Sequence, residues 1–167
     1  MKDNKTSAVI PGSYDPITCG HLDLIIRASK LFDEVTVLIC VNSSKRGFVD
    51  AETRKILCED AVCDIPNVKV DVCGGLFADY CHNNGINVVV KGIRNLADFS
   101  YETELKQYND CIFSDKYGYI PETVFLPSSS EFSHCSSTFI REMLKYNENV
   151  DKYVPNSKLL LNYINLP

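Results

Sequence analysis

The sequence predicts an α/β fold, a doubly wound, five-stranded parallel sheet with helices on both faces. Short β-branched runs alternate along the chain with stretches whose apolar residues recur at helical spacing. The run at 35–41 is an almost unbroken series of β-branched and apolar residues, the pattern of a parallel strand covered on both faces. Proline, glycine or a capping side chain stands where one pattern gives way to the other.

Residues 6–10 read as a buried strand closed by Pro11-Gly12, and 20–32 as a helix with Leu22, Ile25, Ile26, Ala28 and Leu31 on its apolar stripe. The second strand, 35–41, leads through a loop at 42–49 into a helix capped by Asp50, with Ile56, Leu57, Ala61 and Val62 as its stripe and Pro66-Asn67 as its stop. A strand at 68–72, a helix at 76–83 ending before Gly85 and a strand at 88–91 continue the alternation. A long helix at 96–113 and a fifth strand at 123–126 follow, then a helix at 136–146 opening on Ser136-Ser137-Thr138. A last helix at 156–163 is expected to pack on the outside of a single domain spanning 1–167.

Composition narrows the function classes. With 45% apolar residues the chain can build a core, and a net charge of -5 argues against general attraction to nucleic acid or anionic membrane. No apolar stretch approaches the roughly 18 residues of a membrane span, and the N-terminal segment lacks a signal-peptide core, so a cytoplasmic protein is expected. The eight cysteines contain no C-x-x-C pair and are read as free thiols.

In a doubly wound sheet, ligands bind outside the carboxyl ends of the strands. The loops at 11–20, 42–49, 74–75, 92–95 and 127–135 are therefore the candidate site. The first of them places Gly12, Ser13 and His21 between a strand and a helix N-terminus, where free N–H groups and the helix dipole favour a phosphate.

Thr18-Cys19-Gly20-His21 resembles the T/H-x-G-H motif of the nucleotidyltransferase superfamily, and the longer string from Pro11 to His21 resembles its phosphopantetheine adenylyltransferase branch. Tyr14 stands where that family usually has Phe, and Cys19 where it often has Asn. Three further matches follow in order: Lys45, Lys91-Gly92-Ile93-Arg94, and Cys135-Ser136-Ser137-Thr138. The resemblance implies a Rossmann-like domain that transfers AMP from ATP to 4'-phosphopantetheine, with Mg²⁺ arriving on the ATP. It also implies a homohexamer, and inhibition by coenzyme A is a family expectation.

The chemistry suits the residues. A phosphate monoester has a second pKa of about 6 and is largely dianionic at neutral pH, so its attack on the α-phosphorus needs no general base. The protein must instead hold two anions in line and stabilise charge in the transition state. His21 is expected to remain neutral, because it faces the positive end of a helix, and to donate to the α-phosphate. The resemblance assigns the nucleotide to Ser13, Tyr14, His21, Gly92, Ile93, Arg94, Glu102 and the segment Phe132, Ser133, His134, Cys135, Ser136, Ser137 and Thr138. It assigns the acceptor substrate to Ser13, Lys45, Phe77 and Lys91. Glu102 also reads as a helix-surface carboxylate, Phe77 as ordinary helix core, and His134 as a substitution at a usually apolar position. Lys91 replaces the family's more usual Arg, keeping charge but losing the bidentate fork.

Two alternatives remain open. A sister transferase acting on nicotinamide mononucleotide or with CTP would favour His in the place of Thr18, and a noncatalytic nucleotide sensor could keep the same fold. A dehydrogenase is excluded by the missing G-x-G-x-x-G after the first strand.

Overall fold

Strand β1 (Ser7–Gly12) is followed by α1 (Cys19–Ser29), β2 (Glu34–Cys40), α2 (Ala51–Val62), β3 (Val68–Cys73) and α3 (Phe77–Asn83). The chain continues with β4 (Val88–Ile93), α4 (Leu96–Tyr117), β5 (Glu122–Pro127), a short 3-10 turn (Ser130–Phe132), α5 (Ser137–Lys145) and α6 (Ser157–Tyr163). The structure is a computed structural model and describes residues 5–41 and 46–164.

All five strands are parallel, in the order β3-β2-β1-β4-β5. Successive side chains on a strand face opposite ways, and that alternation builds two cores. Ile10, Val37 and Ile39 pack with Ile25 of α1, Leu57 of α2, Ile140 of α5 and Leu160 of α6. Val9, Leu38 and Val89 face the other way, onto Ala78 and Cys81 of α3 and Phe113 of α4.

The strand order reverses between β1 and β4, and the registers show what happens there. β1 pairs with β2 from Ser7↔Glu34 to Gly12↔Ile39, but with β4 only through Ala8↔Val88 and Val9↔Val89. Beyond those pairs the two strands part and leave a crevice at their carboxyl ends. β1 also runs through Pro11 and Gly12, where the sequence pattern stops it. The β2 ladder continues there, and β4 has already separated, so proline on that flank leaves no pairing position empty.

The other differences lie at element ends. α4 continues beyond 113 to Tyr117 and stops at Gly118, whose φ of 69° is left-handed and whose N–H bonds to Ser114 O. The last apolar residue of its stripe is therefore a poorer marker of the end than the C-cap glycine. All eight cysteines are free thiols.

Candidate active site

The crevice holds a cavity of about 370 Å³, walled by the ends of β1 and β4, the first turns of α1 and α5, and one face of α4. Two glycines let its walls close up. A Cβ on Gly12 would lie 2.9 Å from the Tyr14 ring, and one on Gly20 would lie 3.4 Å from both the Cys135 carbonyl and Phe132 Cβ. Gly20 thus allows the segment before α5 to lie directly on α1.

The loop after β1 is anchored from below by Asp15. Its carboxylate accepts from Phe48 N (2.8 Å) and Val49 N (3.0 Å) and lies 3.3 Å from Arg54 Nε. Arg54 in turn donates to Val49 O and Ser13 O. Ser13, expected at both substrates, is thereby placed on the cavity wall.

Thr18 and His21 form a capping box at the start of α1. His21 N donates to Thr18 Oγ1 (3.3 Å), and Thr18 N donates to His21 Nδ1 (3.1 Å). Because Nδ1 accepts, the network assigns the imidazole proton to Nε2. Burial first, and the Arg94 charge second, lower the His21 pKa to about 4. The neutral state agrees with the expectation, and burial and the neighbouring cation act in the same direction as the helix dipole invoked from sequence.

Tyr14 supports this histidine. Its ring centroid lies 5.0 Å from the imidazole, its hydroxyl donates to Ile10 O at 2.8 Å, and its φ is 47°. The side chain is 2% exposed. Its hydroxyl faces the core, so Tyr14, which borders the cavity, offers the nucleotide only ring and backbone.

Two cations on the β4 side are paired with carboxylates of α4. Lys91 Nζ lies 2.8 Å from Glu102 Oε2, an ion pair without aligned hydrogen-bond geometry. Arg94 grips Asp98 with Nε (2.7 Å) and Nη2 (3.1 Å), and these bonds hold the Asp98 carboxyl below its usual range. All four residues border the cavity. Lys45, expected at the acceptor phosphate, lies outside the described residues.

At α5, Ser136 is the N-cap and accepts from Phe139 N, while Ser137 Oγ donates to Pro16 O. The N–H groups of Ser137 and Thr138 have no acceptor among the described residues and sit at the cavity edge. Phe132, Cys135 and Gly92 also border it. Ile93, Ser133 and His134 do not border it. Ile93 follows the inward-facing Gly92 on an alternating strand, and its carbonyl accepts from Ser128 N. Ser133 is turned back to Ser130 O, and exposed His134 packs edge-on against Phe139 and Tyr153.

Phe77 lies outside the main cavity, in a narrow pocket of about 20 Å³ shared with Val89 and Phe113. Lys91 borders both spaces and so joins them. The sequence reading gave no site role to four cleft residues or supports. Thr18 was visible as a cap three residues before His21, and Asp98 as an acid four residues after Arg94 on one helical edge. Tyr101 and Arg141 carry no such spacing signal.

The cytidylyltransferase-like family profile matches residues 9–143. A phosphopantetheine adenylyltransferase of Staphylococcus carnosus (strain TM300) is 38% identical over 151 residues, covering 90% of this chain and 91% of the relative. Among solved structures, a provisionally assigned nicotinate-nucleotide adenylyltransferase from Vibrio parahaemolyticus superposes with a TM-score of 0.63 at 19% identity, over 95% of this chain and 93% of its own. A lipopolysaccharide core biosynthesis protein from Thermoplasma volcanium GSS1 gives a TM-score of 0.56 at 19% identity, over 75% of this chain and 99% of its own. At that identity the two structures bear on the fold alone. The family profile and the Staphylococcus relative span the loop after β1, the capping box and the cations of β4, and by them the chain belongs to the cytidylyltransferase-like family, with the phosphopantetheine adenylyltransferases.

Proposed function

We propose that this protein transfers AMP from ATP to 4'-phosphopantetheine, forming dephospho-coenzyme A and pyrophosphate in coenzyme A biosynthesis. The observation that carries the reading is the neutral His21, whose Nε2–H is left free by the capping box in a crevice lined by Lys91, Arg94 and the N-terminus of α5. An oxygen of the acceptor phosphate attacks the α-phosphorus, the bond to the β-phosphate breaks, and pyrophosphate leaves with the electron pair. His21 Nε2–H stabilises the α-phosphate oxygens as charge gathers on them.

Lys91 holds the acceptor phosphate, because it borders both the main cavity and the narrow pocket that carries Phe77, the residue assigned with it to the acceptor. Arg94 and the free N–H groups of α5 hold the triphosphate. Each cation must first exchange its carboxylate for phosphate, which sets the depth of substrate binding against the strength of the resting ion pair.

Among the described residues no cluster of three His, Cys, Asp or Glu side chains could hold a metal. Magnesium commonly keeps several waters and binds one or two carboxylates plus substrate phosphates, so the oxygen donors Asp98 and Glu102 fit an ion brought by the triphosphate. Bound there, it supplies charge neutralisation to the leaving phosphates.

Among the described residues no helix is long and apolar enough to cross a membrane. With the net charge of -5 this supports a cytoplasmic location. Leu96, Tyr101 and Tyr108 stand exposed along α4, which supports self-association of this chain, with the homohexamer as the assembly we propose.

The test is pyrophosphate release from purified protein with Mg-ATP, with and without 4'-phosphopantetheine, and with nicotinamide mononucleotide in parallel. Release that requires 4'-phosphopantetheine supports the proposal. Release with the mononucleotide alone moves the protein to a sister activity, and no release with either acceptor overturns the enzymatic reading.

A further inference from the structure

Three of the eight cysteines share one core. Cys73 and Cys81 are buried in the cluster that holds Leu38, and Cys40 packs against them, at the end of the sheet where β2 and β3 give way to loops. Cys40 and Cys73 are also the last register pair between those strands. Partners in a parallel ladder point to the same face, and neighbouring strands run about 4.8 Å apart, within the Cα separation of roughly 4.4–6.8 Å that a disulfide spans.

In the reduced state Cys40 Sγ donates to Leu38 O at 3.8 Å and Cys73 Sγ to Gly75 O at 3.4 Å. A thiol is a weak donor, so little is lost when each turns toward the other. Cys40 is the less buried of the two and borders a cavity of about 660 Å³ beside the main one, with Ser13 bordering both. A small oxidant therefore meets Cys40 first. Burial, and then the neighbouring Cys73, push the Cys40 thiol up to about 11 against the pull of Lys91, while burial pushes Cys81 up to about 12. The thiolate is the reacting form, so the pair stays reduced in brief contact with an oxidant and closes under sustained exposure.

We propose that Cys40 and Cys73 are a peroxide-sensitive dithiol, which closes to a disulfide across the ends of β2 and β3 and weakens the hold on the acceptor substrate. The Cys40 sulfur attacks one peroxide oxygen, the O–O bond breaks, and a sulfenic acid and one water result. The Cys73 sulfur then attacks the Cys40 sulfur, the S–O bond breaks, and a second water leaves with the Cys73 proton. Both sulfurs are oxidised and both peroxide oxygens are reduced to water. An added dithiol reopens the bond by exchange, which suits a redox-sensing pair.

The effect on the acceptor rests on the adenylyl-transfer reading. Lys91 lies near enough for its charge to act on Cys40, and Cys73 ends the strand that leads through Gly74 and Gly75 to Phe77 at the start of α3. Closing the bond shifts the entry to α3 and alters the surroundings of Lys91, and these are two of the residues assigned to the acceptor.

The experiment uses the full chain with its two exposed thiols removed, Cys63→Ser with Cys111→Ser, treated for hours with hydrogen peroxide. Remaining thiols are alkylated, the chain is digested without reduction and the peptides are mapped by mass, with pyrophosphate release assayed before and after dithiothreitol. A linked pair of peptides carrying Cys40 and Cys73 is expected, lost in Cys73→Ala and Cys73→Val but kept in Cys81→Ala. KM for 4'-phosphopantetheine should rise about threefold or more while that for Mg-ATP stays within about twofold, and dithiothreitol should reverse the change.

Cys40 linked to Cys81, Cys40 oxidised while Cys73 stays reduced, or both left as thiols would overturn the inference, and the parent chain alone decides this if the Cys73 variants do not fold. A Cys40–Cys73 bond that leaves KM for the acceptor unchanged would overturn it as well. Failure of the wider reading looks different: the reduced protein would then release no pyrophosphate with 4'-phosphopantetheine, while the bond would still be read directly from the peptides.

Discussion

The base of the crevice and its β4 rim are both held by ion pairs, and the pairs differ in what surrounds them. At the base, the Arg54 and Asp15 side chains are 9% and 13% exposed; Arg54 donates to the backbone of Val49 and Ser13, and Asp15 accepts from the N–H groups of Phe48 and Val49. At the rim, the Arg94 and Asp98 side chains are 36% and 23% exposed and open onto the cavity. A buried cation held by backbone acceptors as well as by its carboxylate becomes scaffold, whereas one held by a carboxylate at the edge of a cavity can be taken over by a stronger anion. Residue type does not separate the two roles; neighbours do.

The largest effect should come from breaking the base. Arg54→Met leaves Asp15 as an uncompensated buried charge and should cost about 3–5 kcal/mol of stability, read as a lower denaturant midpoint. The rim offers the opposite result. Arg94→Gln should leave that midpoint nearly unchanged while reducing kcat/KM, and equal stability losses at both sites would erase the distinction.

His21 comes next. His21→Ala should lower kcat by about 10²–10³, the usual loss of one transition-state donor, with much less change in KM for ATP. The same residue sets a pH dependence of stability. Its pKa is about 4 in the folded protein against 6.5 ordinarily, so between those values the unfolded chain binds more protons. Stability should therefore fall as pH drops through that window and be fully present above it. In His21→Gln this part of the dependence should vanish; an unchanged slope between wild type and variant would show that other groups cause it.

Thr18→Ala should cost about 1 kcal/mol as a lost N-cap. It should also lower kcat, because the contact of Thr18 Oγ1 with Nδ1 at 3.2 Å is lost and only the backbone N–H is left to orient the ring, and Thr18→Ser should restore both. The smallest effect concerns the rim again. Lys91→Arg restores a bidentate fork and should lower KM for 4'-phosphopantetheine about threefold with kcat little changed. A rise in KM would instead mean that Glu102 holds the new guanidinium more tightly than phosphate does.

Much of this arrangement was legible in the chain. The alternation of short β-branched runs with apolar residues at helical spacing located every strand and α-helix of the described residues, and the T-x-G-H string marked the loop that carries His21. Element ends were read less well, as with Pro11-Gly12 inside β1 and Gly118 after α4. The segment from Phe132 to Thr138 was read as one block, yet Ser133 and His134 turn outward because the turn before α5 presents only some of its residues to the cleft. Tyr14 lies on the loop that the sequence marks, and no local spacing shows that its hydroxyl turns to Ile10 O in the core.

By itself the sequence determined the order and kind of the elements, the motif at the start of α1 and the set of charged residues near the strand ends. These depend on spacings of a few residues, which one chain displays directly. Only the tertiary structure decided that β1 and β4 part after Val9↔Val89, and which cation is scaffold and which opens onto the cavity. Those outcomes depend on partners far apart in the chain, as when Arg141 meets the carbonyl of Asp15 across 126 positions. No local period encodes such a meeting, because it is settled by how separate elements pack and by which acceptor each donor then finds nearest.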